Sequence, residues 1–68
     1  MMLQVYVGGY DCCVEYVREW IAAGQVPAAV YGSFDEVSDR IYEDADLCPD
    51  DTVWVVTPDG QIELFEDW

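Results

Sequence analysis

The sequence predicts an α+β fold: a three- or four-stranded, mostly antiparallel sheet with two helices packed on one face, in the order β-α-(β)-α-β-β. Three observations predict it. Leu3-Gln4-Val5-Tyr6-Val7 alternates with period two and stops at Gly8-Gly9, as a strand does. Two stretches, beginning near Asp11 and Ser33, carry apolar residues at helical spacing. Two β-prone runs, Thr52-Val53-Trp54-Val55-Val56-Thr57 and Gln61-Ile62-Glu63-Leu64-Phe65, flank the turn residues Pro58-Asp59-Gly60.

Taken in order, the first strand places Leu3, Val5 and Val7 on the core face. The first helix is expected from a cap at Asp11 to about Ala23, with Gly24 as its C-terminal glycine. Tyr10, Val14, Val17 and Ile21 form its apolar stripe, with Cys13 and Trp20 beside it; Glu15, Arg18, Glu19 and Ala22 lie opposite. Gln25-Val26-Pro27-Ala28-Ala29-Val30-Tyr31-Gly32 reads as loop or as a short edge strand begun by Pro27, because proline does not fit within a central strand. Ser33-Phe34-Asp35-Glu36 is a capping box. The helix it opens should reach about Asp44, with Phe34, Val37 and Ile41 inward and Asp35, Glu36, Asp39, Arg40 and Glu43 in water. Residues 44–51 are a loop. In the closing hairpin Val53, Val55, Ile62 and Leu64 make the expected buried set. Tyr6, Trp54 and Val56 then fall on the other sheet face, which is either a second small core or an exposed patch suited to a homodimer.

Sixty-eight residues make one domain, residues 1–68, with 53% hydrophobic and 15% aromatic content. A chain this short buries only about 60% of the surface its unfolded form exposes, so the core is marginal. Fifteen Asp and Glu stand against Arg18 and Arg40, for a net charge of −13, with no lysine or histidine. The hydrophobic and aromatic content distinguishes an acidic fold from a disordered acidic tail. The charge excludes direct nucleic-acid binding, which needs cations on phosphates, and binding to an anionic membrane surface. No stretch approaches the roughly 20 apolar residues of a membrane span, and the N-terminal residues lack the pattern of a signal peptide. Three cysteines, Cys12, Cys13 and Cys48, fit a reducing compartment better than a disulfide framework. The expected location is cytoplasmic.

Catalytic chemistry is not expected. Absence of histidine removes the usual triads and most zinc sites. Gly8-Gly9 sits where a phosphate loop would, but no lysine follows and carboxylates surround it. Cys12 and Cys13 open a helix whose positive end lowers thiol pKa values. Against that, adjacent cysteines bridge poorly, and Asp11 and Glu15 act the other way; both read as small buried hydrophobes. The loop Asp44-x-Asp46-x-Cys48-Pro49-Asp50-Asp51 resembles a calcium loop but places Pro49 and Val55 where the EF-hand needs glycine and glutamate. No cofactor and no metal are expected, and acidic pairs on so short a chain lack the cleft that glycoside hydrolysis needs.

The carboxylates therefore point to a partner. A net charge of −13 exceeds the magnitude of roughly 2 to 8 that solubility asks of a small domain. Asp35, Asp39 and Glu43 make an i, i+4 row with Glu36 beside it, repeating about every 6 Å along the helix. Phosphates on a DNA strand advance about 3.4 Å per nucleotide, so an acid row can stand in for a phosphate row. Asp44, Asp46, Asp50 and Asp51 extend it, and Asp59, Glu63, Glu66 and Asp67 lie around the hairpin. Tyr16, Tyr31, Tyr42 and Trp68 are placed either to border the core or to stack on a partner's arginines. The candidate partner-binding residues are Asp35, Glu36, Asp39, Glu43, Asp44, Asp46 and Tyr42.

Small size, extreme acidity, absent lysine and acid-rowed helices together resemble the DNA-mimicking inhibitors carried by bacteriophages and mobile elements: anti-CRISPR, antirestriction and glycosylase-inhibitor proteins. The resemblance is one of composition over the whole chain; those families share no fold, and no functional residue carries across. It implies a non-enzymatic inhibitor that occupies the nucleic-acid-binding surface of a basic bacterial host protein, an effector complex or a restriction or DNA-processing enzyme. Three other readings compete. An acidic adaptor or antitoxin-like partner would bind a basic protein without mimicry. A salt-adapted halophilic domain would unfold in dilute buffer, and its class trims the cysteines and aromatics found here. A small enzyme is the fourth.

Overall fold

The computed structural model describes residues 2–65. Its elements run β1 (Leu3–Gly8), α1 (Val14–Ala22), β2 (Ala29–Tyr31), α2 (Phe34–Asp44), β3 (Thr52–Val56) and β4 (Ile62–Phe65). The fold is α+β with the expected order. All four strands form one antiparallel sheet, β2-β1-β3-β4, with β1 and β3 central. Pro27 precedes the three-residue edge strand β2, where an absent N–H breaks no central ladder.

The helices, however, cover opposite faces. Leu3 and Val5 of β1, Tyr31 of β2, and Val53 and Val55 of β3 pack with Val37 and Ile41 of α2. Tyr6, Trp54 and Val56 pack with Val17 of α1, bordered by Cys12, Val14, Trp20 and Ile62. Placing both helices on one face is thus corrected, for a physical reason: β3 is apolar at four successive positions, so both of its faces need cover. The face carrying Tyr6, Trp54 and Val56 is the second small core.

Gly8 steers the chain onto that second face. A Cβ there would lie 2.5 Å from the Cys12 sulfur and 2.6 Å from its Cβ, so only glycine lets the chain fold back so tightly. The first helix consequently starts later than expected. Its N-cap is Cys13, which makes no side-chain capping bond, and Asp11 lies outside it. Its end is as expected: Gly24 has φ +79°, Gly24 N–H donates to Ile21 O and Gln25 N–H to Trp20 O, a Schellman motif. The inward stripe is Val17, fully buried, with Val14 and Trp20 partly buried beside it, while Tyr10 (81% exposed), Cys13 and Ile21 turn outward.

In the second helix Ser33 Oγ accepts from Glu36 N–H, as a capping box requires, while Glu36 Oε2 accepts from Gly32 N–H, one residue before the N-cap, each at 3.3 Å. Val37 and Ile41 are buried as expected, but Phe34 is substantially exposed. The hairpin register also differs from expectation. Val56 pairs with Ile62 and Val53 with Phe65, so Ile62 and Leu64 share a face with Trp54 and Val56, not with Val53 and Val55. Thr57 N–H donates to Gln61 O around Pro58-Asp59-Gly60, with Gly60 at φ +93°, giving a three-residue loop. One residue more or fewer in the loop exchanges the two faces of β4.

Candidate functional site: the carboxylate face of the second helix

Because α1 and α2 lie on opposite faces, the acids of the two helices are separated by the sheet. Residues 35–51 hold Asp35, Glu36, Asp39, Glu43, Asp44, Asp46, Asp50 and Asp51 against Arg40 alone. The α1 side carries Asp11, Glu15 and Glu19 with Arg18. All seven candidate residues, Asp35, Glu36, Asp39, Tyr42, Glu43, Asp44 and Asp46, are exposed on α2 or its C-terminal turn. The i, i+4 row spans most of a helix about 16 Å long.

Geometry separates these residues by what else they do. Glu36 is part of the helix cap. Asp44 Oδ2 accepts the Tyr31 hydroxyl proton at 2.5 Å. Tyr31 is only 5% exposed and so belongs to the core; its reading as a stacking residue is corrected. Burial first, then the hydrogen bond to Asp44, pushes its phenol up to about 12. Asp46 sits at φ 50°, a conformation that Asp tolerates better than most residues. Asp51 Oδ2 accepts from Cys48 N–H at 3.0 Å and fixes the loop ahead of β3. Asp35, Asp39 and Glu43 are the exposed acids of the row. Glu66, Asp67 and Trp68 lie outside the described residues.

Electrostatics distinguish the two ends of α2. Asp35 and Glu36 in the first turn meet the positive end of the helix dipole, which favours them. Glu43 and Asp44 meet its negative end, with no basic residue in the last turn. The Tyr31 hydroxyl compensates Asp44. Glu43 works against the fold.

The loop from Asp44 to Asp51 also forms an open groove that the sequence did not reveal, lined by Tyr42, Leu47, Cys48 and Pro49. Its signal was present in Leu47, an apolar residue among acids, but only the fold shows it packing beneath α2. A second concavity, at Thr57, Pro58, Asp59 and Gln61, is the hairpin turn itself. There the Thr57 hydroxyl donates to Asp59 and lowers the pKa of that carboxylate.

Among the described residues no group of three or more His, Cys, Asp or Glu is arranged to hold a metal ion, and no helix is long and apolar enough to cross a membrane. Cys12, Cys13 and Cys48 are unbridged. Cys12 packs against the second core, and burial, then Cys13 and Asp11, raise its thiol pKa, which keeps it protonated and weakly nucleophilic. Cys13 and Cys48 are exposed, which corrects the reading of Cys13 as a buried hydrophobe. Compared with protein-family models, curated proteins and solved structures, the chain matches none.

Proposed function

We propose that the protein is a non-enzymatic inhibitor that works in the cytoplasm of a bacterial host. Its α2 face presents rows of carboxylates to the nucleic-acid-binding surface of a basic partner, such as a defence effector or a restriction or DNA-processing enzyme. One observation carries the reading: residues 35–51 hold eight carboxylates and a single arginine, and five of those carboxylates are exposed on α2, the helix that covers the sheet face opposite α1. Supporting it is Glu43, kept at a helix end where it costs stability. Competition is steric and electrostatic. Attraction between the acidic face and the basic partner makes the encounter fast and salt-sensitive.

The test is capture on immobilised protein from nuclease-treated bacterial lysate, with elution by a salt gradient and by duplex DNA. The reading expects a nucleic-acid-binding protein that DNA displaces, and its loss on the folded variant Asp35→Lys/Asp39→Lys/Glu43→Lys. A partner that stays bound in excess DNA, or that the triple variant still captures, sinks it and favours an acidic adaptor.

A further inference from the structure

We infer that the groove of Tyr42, Leu47, Cys48 and Pro49 receives one arginine side chain of a basic protein partner. This rests on the reading that the α2 side meets such a partner. The groove is lined by aromatic, aliphatic and thiol side chains, and the chain on either side of it is rich in carboxylates. Leu47 packs against the α2 core, and Tyr42, 41% exposed, presents part of its side chain to solvent. Glu43, Asp44 and Asp46 precede Leu47 in the chain, and Asp50 and Asp51 follow Pro49.

That combination discriminates among cations. A guanidinium is planar, weakly hydrated and stacks on aromatic rings while its N–H groups reach carboxylates in pairs. An ammonium is a compact, strongly hydrated charge that gains little from apolar walls. The groove is also held before any ligand arrives. The Tyr31 hydroxyl holds Asp44 at the end of α2, and Asp51 holds the N–H of the lining residue Cys48, so little ordering remains to oppose binding. A second copy of this chain is a poor occupant. It brings a net charge of −13 and only Arg18 and Arg40. Charge complementarity therefore selects a different, basic protein.

The test uses the isotope-labelled full chain and two capped pentapeptides, Gly-Gly-Arg-Gly-Gly and its lysine counterpart, followed by amide chemical shifts. Expected are shifts centred on residues 42–50, affinity about fivefold higher for the arginine peptide, and loss of that preference in Tyr42→Leu. Binding spread along Asp35, Asp39 and Glu43 with equal affinities overturns the inference. So does an arginine preference that survives Tyr42→Leu, tighter binding of an uncharged leucine peptide, or no binding at millimolar peptide. Failure of the wider reading looks different: DNA then leaves the captured partner in place while the groove still prefers arginine.

Discussion

The hydroxyl of Tyr31, on edge strand β2, donates to Asp44 Oδ2 at 2.5 Å and so ties that strand to the last residue of α2. An exposed carboxylate of the acidic face is thereby anchored to a buried ring. The bond gives the edge strand a side-chain tether in addition to its short ladder on β1.

Stability should depend on this phenol at alkaline pH. Its folded pKa of about 12 lies above the ordinary value of 10, so the stabilisation is complete below pH 10 and is lost as pH rises through 12. Two units correspond to roughly 2–3 kcal/mol. Urea unfolding between pH 8 and 12 should show that loss in the natural chain and a shallower one in Tyr31→Phe. Equal slopes would remove Tyr31 as the source.

Gly8→Ala should destabilise by about 1–3 kcal/mol, because the new Cβ meets the Cys12 side chain. Cys12→Gly should restore much of the loss, whereas Cys12→Ser should not, since its Cβ remains in the way. Chemical denaturation of the three variants decides it. If Cys12→Gly rescues nothing, the approach of β1 to residue 12 is not what demands glycine.

Glu43→Lys should raise stability by about 0.5–1 kcal/mol by reversing a charge at the negative end of α2. The same change should weaken partner binding. A destabilised variant would show that Glu43 has a structural role and would withdraw it from the candidate interface.

Raising sodium chloride from 10 to 500 mM should stabilise the natural chain by on the order of 1 kcal/mol, as screening relieves a few tenths for each like-charged pair. Thermal unfolding at the two salts measures it. The chain should remain folded at the lower salt. Unfolding there would instead point to a salt-adapted domain.

Much of the candidate site was legible before the fold, because helix periodicity places Asp35, Asp39 and Glu43 opposite Val37 and Ile41 wherever the helix goes. The capping role of Glu36 was legible in its spacing from Ser33. One of the seven candidates carries a duty that no spacing discloses, for Asp44 accepts a hydrogen bond from a residue 13 positions earlier. The groove was hidden for a similar reason, since Leu47 acquires its place only when α2 and the loop settle on the sheet.

The sequence by itself determined the elements. The Ser33 cap, the Gly24 stop, the Pro58-Asp59-Gly60 turn and the α+β order are set by local rules, acting over a few residues. Tertiary structure alone decided the faces. Whether α1 lies beside α2 or behind the sheet depends on Gly8 meeting Cys12 and on Trp54 and Val56 needing cover. Which side Ile62 and Leu64 take depends on a loop of odd length. A strand's side chains alternate faithfully, but which face is buried is settled only by what packs against it.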